Sequence, residues 1–384
     1  MAHGTPEKFE VAVPDEVLAD LRERLSHARL PGEVINSGWT YGTNLAYLKE
    51  LIEYWRTRYD WRAHERELNR FPQFKVDIGG ARVHYIHAPG KGPNPKPLLL
   101  LHGWPGSIYE FMQIIPMLTD PAAHGGDARD SFTVVAPSLP GYGFSDDPGG
   151  GMGPKRIAEV LRELMTGVLG YRRFATQGGD WGAMVASLIG YLHTPEVIGV
   201  HVNFVALAPP EGARTRDLDD EEKKFLAELA AFRQEEMGYM QIQGTKPQTL
   251  AYALNDSPAG LAAWIVEKFR TWSDCAGDVE RTYTKDQLLT NVMIYWVTQS
   301  INSSTRLYYE QRHHPLGLAP GEKCEAPTAV ALFPAELSRP PRRWAERVYN
   351  LKRFTVMPSG GHFAAMEQPA ALAADVRAFF RDLS

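Results

Sequence analysis

The chain has 384 residues, of which 44% are hydrophobic and 23% are charged, which is ordinary for a globular protein with a sizeable buried core. Its net charge of −5 gives no reason to expect binding to nucleic acid or to an anionic membrane surface. No apolar run approaches the length of a membrane span, and the polar N-terminus lacks the apolar centre of a signal peptide.

The helical periodicity of residues 1–72 predicts an N-terminal helical extension. Apolar side chains recur at helical spacing over residues 15–30 and again over residues 44–59. A third helix is predicted over residues 61–69. These helices come before any strand pattern, and we expect them to form a structural wrap.

Strands and helices alternate after this extension, which predicts a mostly parallel sheet of the α/β class. Residues 74–78 and 82–87 flank two glycines and predict a hairpin. Further strands are predicted at 97–101, 132–136, 197–205, 328–333 and 354–357, and helices at 109–118, 154–169, 341–348 and 370–382.

The periodicity changes to purely helical between the predicted strands 197–205 and 328–333. The clearest helical segments are 218–236, 259–269 and 285–300. We therefore interpret residues 211–325 as a helical lid that interrupts an α/β core formed by residues 73–210 and 326–384.

The segment 172–185 reads Arg-Arg-Phe-Ala-Thr-Gln-Gly-Gly-Asp-Trp-Gly-Ala-Met-Val, with Asp180 between glycines. This is the pattern of a nucleophile elbow, a sharp strand–turn–helix connection in which a Cβ near the tip would clash. An ionised carboxylate needs no base to attack a saturated carbon, and the product would be an ester on the enzyme. The bland alternative is a glycine-rich turn with a solvated or capping Asp180.

The motif His-Gly-Trp-Pro-Gly-Ser at residues 102–107 follows a predicted buried strand. Such a loop lies at the carboxyl end of the sheet, where ligands bind. Gly103 lets the backbone turn so that the Trp104 N–H can face the site. With the Trp181 N–H, it would form an oxyanion hole. The alternative is a turn with a buried tryptophan.

His362 lies in a glycine-rich loop after the last predicted strand, where a hydrolase base is expected. A base of this kind needs an acid to orient its ring. Glu336 follows the strand 328–333 and has the right place in the order nucleophile, acid, base. Glu346, in the next predicted helix, is the alternative acid.

The patterns around the other candidate site residues indicate structural roles. His313 and His314 have no further ligands at useful spacing, so we expect no metal site. Residues 141–145 resemble a serine elbow but do not lead into a helix. A disulfide between Cys275 and Cys324 is arithmetically possible, but we expect two reduced thiols in a cytoplasmic protein.

Together, residues 102–107, 178–182 and 360–363 resemble the motifs of the microsomal-type epoxide hydrolases, which include the juvenile-hormone epoxide hydrolases of the α/β-hydrolase superfamily. The resemblance spans nearly the whole chain. The segments 238–247 and 255–263 resemble the family's first lid-tyrosine segment, 303–308 the second, and 333–337 the acid segment. The resemblance therefore implies that Tyr239 and Tyr308 are lid acids, with Tyr309 as an alternative to Tyr308.

This resemblance implies an epoxide hydrolase without metal or organic cofactor. Asp180 would form an alkyl-enzyme ester, and water activated by His362 would hydrolyse it. A phenol, with a pKa of roughly 10, remains protonated at neutral pH and can donate to the departing alkoxide. A halide leaving group would need no proton, so the alternative enzyme is a haloalkane dehalogenase. A non-catalytic ligand receptor on the same fold is the alternative from another class.

The expected partners are a small epoxide and water, and the sequence is also compatible with a homodimer. The chain lacks the N-terminal anchor of the membrane-bound members of the family, so we expect a soluble, cytoplasmic protein. An aromatic content of 11% allows a bulky or aryl epoxide. Richness in alanine, arginine and glycine suggests a bacterial source and natural-product metabolism.

Overall fold

The computed structural model of the chain describes residues 1–207, 217–315 and 321–383. Its strands are β1 (Glu7–Phe9), β2 (Gln73–Ile78), β3 (Ala81–Ala88), β4 (Lys96–Leu101), β5 (Phe132–Pro137), β6 (Phe174–Gly178), β7 (Val197–Val202), β8 (Cys324–Leu332) and β9 (Tyr349–Val356). They form one sheet in the order β1-β2-β3-β5-β4-β6-β7-β8-β9. The pairs β1-β2, β2-β3 and β3-β5 are antiparallel. The remaining neighbours in this order, from β5-β4 to β8-β9, are parallel.

Helices surround this sheet and bury its central strands. They are α1 (Asp15–Ser26), α2 (Leu45–Thr57), α3 (Trp61–Leu68), α4 (Ile114–Thr119), α5 (Pro154–Glu163), α6 (Asp180–Leu192), α7 (Asp220–Glu235), α8 (Gly238–Gln243), α9 (Pro247–Asp256), α10 (Pro258–Trp272), α11 (Lys285–Thr298), α12 (Ile301–His313), α13 (Arg342–Val348), α14 (Ala364–Glu367) and α15 (Pro369–Phe380). The four leucines that end β4 are fully buried, as expected for a parallel strand covered by helices. The predicted α/β-hydrolase fold, with a mostly parallel sheet, is confirmed.

The structure differs from the sequence predictions in two local details. The extension is not only helical, because β1 adds an antiparallel strand to β2. Its three residues are too few to show an alternating pattern. The predicted helix 109–118 is a 3₁₀ turn, Ile108–Phe111, followed by α4. Pro116 has no N–H to donate and is therefore accommodated in the first turn of α4.

Between β7 and β8, the described residues form α7 to α12, which we call the insertion helices. The predicted boundary at residues 210 and 211 lies outside the described residues. Side chains of the extension bond to the insertion helices. The Thr43 hydroxyl donates to the Ala263 carbonyl at 2.7 Å, and the Tyr54 hydroxyl donates to Asp286 at 2.9 Å. None of the helices placed in the described ranges combines the length and apolar character needed to cross a membrane.

Candidate active site

Asp180 lies at the tip of the turn between β6 and α6, with φ of 49°. This left-handed conformation is strained for a residue other than glycine and persists only where its surroundings impose it. A Cβ on Gly178 would lie 2.3 Å from the carbonyl oxygen of Gly182, and one on Gly182 would lie 2.2 Å from that of Leu101. The glycines therefore allow the sharp turn that presents Asp180 at the carboxyl end of the sheet.

The loop after β4 holds the Asp180 carboxylate. The backbone N–H of Trp104 donates a 2.8 Å hydrogen bond to Asp180 Oδ1. A Cβ on Gly103 would lie only 2.0 Å from the same oxygen, so this close approach requires glycine. Trp181 is in the first turn of α6, where backbone N–H groups have no partner within the helix. Both predicted N–H donors thus belong to segments that adjoin Asp180.

His362 lies between two carboxylates. Its Nδ1 is 2.6 Å from Glu336 Oε1, and its Nε2 is 3.3 Å from Asp180 Oδ2. The Nε2 contact does not meet hydrogen-bond geometry, and Nε2 has no hydrogen-bond partner among the described residues. Glu346, the alternative acid, instead accepts from Arg342 within α13 at 2.8 Å. The structure therefore brings Asp180, Glu336 and His362 together.

Burial lowers the pKa of His362, but the charges of Glu336 and Asp180 outweigh it and hold this pKa well above its usual value. The neighbouring Glu336 and Asp180 thus favour the protonated form of the imidazole. The backbone N–H of His362 donates to the Trp272 carbonyl at 2.9 Å, which holds this part of the loop against α10.

Tyr239 in α8 and Tyr308 in α12 lie over the same site. Their ring centroids are 5.8 Å apart; Tyr239 stacks on Trp104 at 5.4 Å, and Tyr308 meets Trp181 edge-on at 4.8 Å. Burial, followed by neighbouring acidic groups including Asp180, raises the pKa of both phenols. Both hydroxyls therefore stay protonated and available to donate.

Tyr309, the alternative lid acid, is placed elsewhere. Its side chain is 37% exposed and stacks on His313 at 3.9 Å. The Tyr308 hydroxyl, in contrast, is buried and has no hydrogen-bond partner within the described part of the chain. Of the two neighbours, the structure brings Tyr308 to Asp180.

The sequence interpretation missed several groups around His362. Trp272 of α10 lies edge-on to its ring at 5.1 Å, and Phe204 does so at 5.7 Å. Burial raises the pKa of Glu110 to about 8 and that of Glu367 to about 7. Glu110 follows the motif at residues 102–107, and Glu367 follows the motif at residues 360–363. This proximity in sequence was the signal that could have identified both carboxyl groups.

The other candidates have structural surroundings. Ser145 donates to the Ser138 carbonyl at 2.7 Å and accepts from the His84 N–H at 2.9 Å. Cys275 and Cys324 are free and buried. In the ranges that the structure describes, no three metal-ligating side chains cluster in a way that could hold an ion. The Asp180 site can thus supply a carboxylate, an imidazole and two phenols to one small volume.

Two family models match the chain. The model described as epoxide hydrolase N terminus matches residues 6–111, and the alpha/beta hydrolase family model matches residues 98–375. Among curated relatives, epoxide hydrolase 1 of Oryctolagus cuniculus is 40% identical over 97% of this chain and 88% of the relative. Juvenile hormone epoxide hydrolase 2 of Ctenocephalides felis is 38% identical over 96% and 84%, respectively.

Solved structures show the same similarity. The juvenile hormone epoxide hydrolase of Bombyx mori superimposes with a TM-score of 0.90 at 36% identity, covering 98% of this chain and 95% of the other. The epoxide hydrolase of Aspergillus niger does so with a TM-score of 0.87 at 31% identity, covering 99% and 97%. The similarity therefore includes the extension and the insertion helices as well as the core.

Proposed function

Because the chain belongs to the epoxide hydrolases of the α/β-hydrolase family, we propose that it hydrolyses an epoxide to a vicinal diol through an ester on Asp180. The observation that carries this proposal is the Asp180 carboxylate itself. It is held at 2.8 Å by the Trp104 N–H, with His362 on one side and two buried phenols above. No metal or organic cofactor takes part in the proposed reaction.

In the first half-reaction, Asp180 Oδ2 attacks an epoxide carbon. Oδ1 already accepts from the Trp104 N–H, so it becomes the carbonyl oxygen of the ester. The carbon–oxygen bond of the epoxide breaks, and the departing oxygen takes a proton from Tyr239 or Tyr308. The products are an alkyl-enzyme ester and one phenolate.

In the second half-reaction, the imidazolium of His362 first releases its proton, which the phenolate takes up. The neutral imidazole then takes a proton from water, and the hydroxide oxygen adds to the Asp180 carbonyl carbon. The Trp104 and Trp181 N–H groups stabilise the resulting oxyanion. When the ester bond breaks, the diol oxygen takes the proton from His362. The second proton of the water is released as Asp180 ionises again, and it restores the imidazolium of His362. Glu336 keeps the imidazole oriented throughout.

We also propose a bulky or aryl epoxide as substrate, from bacterial natural-product metabolism. The aromatic lining supports a bulky or aryl group: Trp104, Trp181, Trp272 and Phe204 lie around the Asp180–His362 pair. Turnover across styrene-type, fatty and terpenoid epoxides would rank these classes. A cytoplasmic location is proposed as well, supported by the two free thiols.

Parallel incubations with styrene oxide and 1-bromobutane test the reaction class. We expect diol from the epoxide and no bromide release above that of the Asp180→Asn variant. Bromide release without diol would favour a haloalkane dehalogenase. Saturable binding of both compounds without turnover would favour a ligand receptor on the same fold.

A further inference from the structure

Lys268 of α10 is a buried cation that the proposed reaction does not use. The residue is only 5% exposed, and its ammonium lies 2.5 Å from Glu267 Oε2. Lysine is seldom buried to this extent, because taking its charge out of water is costly unless other groups compensate. The surroundings of the ammonium therefore indicate what this placement achieves.

Three aromatic rings surround this ammonium. Trp264, Lys268 and Trp272 are four residues apart along α10 and so share one face of the helix. The ammonium lies 6.0 and 5.9 Å from the two indole rings, but only 4.9 Å from the ring of Tyr239. Tyr239 is also the ring that stacks on Trp104. The Tyr239 ring is thus in contact with both Trp104, in the loop after β4, and the Lys268 ammonium.

We infer that Lys268 is a positioning residue that makes Tyr239 a stronger proton donor during ring opening. As the proton leaves the hydroxyl, negative charge develops on the phenol ring. The attraction between that ring and an ammonium 4.9 Å away then increases. An interaction that is stronger in the transition state than in the ground state accelerates the step. This inference rests on the proposed role of Tyr239.

Glu267 opposes this effect. Its carboxylate pairs with the Lys268 ammonium and also accepts from the Thr271 hydroxyl at 3.2 Å. Its negative charge favours the neutral phenol, whereas the charge of Lys268 favours the phenolate. Removing one charge or the other should therefore change the alkylation rate in opposite directions.

Rapid-quench kinetics with styrene oxide and intact-mass detection separate formation of the adduct from its hydrolysis. We expect Lys268→Met, which keeps an unbranched side chain one heavy atom shorter, to slow alkylation roughly 2- to 30-fold and to leave hydrolysis unchanged. Lys268→Arg should restore most of the rate. Glu267→Gln should accelerate alkylation, because it removes the opposing negative charge. Gln also keeps an acceptor for the Thr271 hydroxyl.

A double-mutant cycle with Tyr239→Phe shows whether Lys268 acts through the phenol. In the Tyr239→Phe background, Lys268→Met should have no further effect on alkylation. An equal slowing in both backgrounds, or equal slowing of both half-reactions, would mean that Lys268 only supports the fold. If Lys268→Met does not fold, the Glu267→Gln arm decides, and an unchanged or slower alkylation contradicts the inference. Failure of the proposed function would look different, because even the wild-type protein would form no adduct.

Discussion

His362 lies between Glu336 and Asp180, and in the proposed reaction this placement would determine when its imidazole acts as a base. In the free enzyme both carboxylates hold the pKa of His362 well above its usual value, so the ring carries a proton. Formation of the ester removes the charge of Asp180, and the pKa of His362 should then fall. The imidazole would become a base only after the ester has formed.

This coupling predicts a specific pH dependence. A base acts in its deprotonated form, so hydrolysis of the alkyl-enzyme should speed up as pH rises through the pKa of His362 in the ester, and then level off. That midpoint should lie below the pKa of His362 in the free enzyme. Decay of the adduct, followed by rapid quench at several pH values, and an NMR titration of the free enzyme give the two numbers.

Glu336→Gln provides the matched comparison for this prediction. It removes the remaining charge that raises the pKa of His362, so the midpoint of adduct decay should move to still lower pH. Decay that does not depend on pH, or equal midpoints in the ester and the free enzyme, would contradict a role for His362 as the base of the second step.

At the scale of elements, the two loops at the carboxyl ends of β4 and β6 are fitted to each other. Oδ1 of Asp180 occupies nearly the position that a Cβ on Gly103 would take, at 2.0 Å. Gly103→Ala should therefore displace the carboxylate or the Trp104 N–H and reduce kcat/KM on the order of 100-fold. Steady-state diol formation measures this effect.

Gly150→Ala is the control for that change, because a Cβ on Gly150 would have no heavy atom within 4 Å. It should leave kcat/KM near that of the wild-type protein. Full activity in Gly103→Ala would show that the close approach of the two loops is not needed for the reaction.

The elbow and its partner loops could be anticipated because their chemistry constrains the sequence. Only glycine fits at Gly178 and Gly182, so the turn leaves a readable pattern. The sequence could not decide between Tyr308 and Tyr309. Adjacent residues point about 100° apart on a helix, and only the packing of α12 decides which one faces Asp180.

Lys268 and Trp272 could not be anticipated for a related reason. The periodicity of α10 predicts a helix, but its apolar face is broad and does not indicate which residues meet the core. Nor does the sequence show that side chains of α10 and α8 meet, so that Lys268 contacts Tyr239. Contacts between distant segments depend on tertiary packing, which local patterns do not record.

At the scale of the whole molecule, the extension ties the insertion helices to the sheet. β1 pairs with β2 at the edge of the sheet, while α2 packs against α10 and α11. The Tyr59 hydroxyl also lies 3.0 Å from that of Thr290 in α11. We therefore expect the extension, insertion and core to unfold together rather than as separate units.

Ile52→Ala in α2 tests this expectation. Ile52 is 8% exposed, and truncating a buried isoleucine costs about 2 to 5 kcal/mol. Urea unfolding followed by far-UV circular dichroism and by diol formation should show one shared transition at a lower midpoint. Ile35→Ala removes the same atoms from a residue that is 87% exposed, so it should change stability by less than about 0.5 kcal/mol. Loss of activity well before loss of helix would mean that the insertion unfolds on its own.

The central claim is that Asp180, and not water, attacks the epoxide. A single turnover in ¹⁸O-water, with enzyme in excess over styrene oxide, tests this claim most directly. Because the water adds to the Asp180 carbonyl carbon, the label should appear in the Asp180 carboxylate, and the first diol should carry none. Mass spectrometry of the active-site peptide and of the diol measures both. A labelled diol with an unlabelled Asp180 would show that water opens the epoxide directly, and the assignment of Asp180 as nucleophile would be wrong.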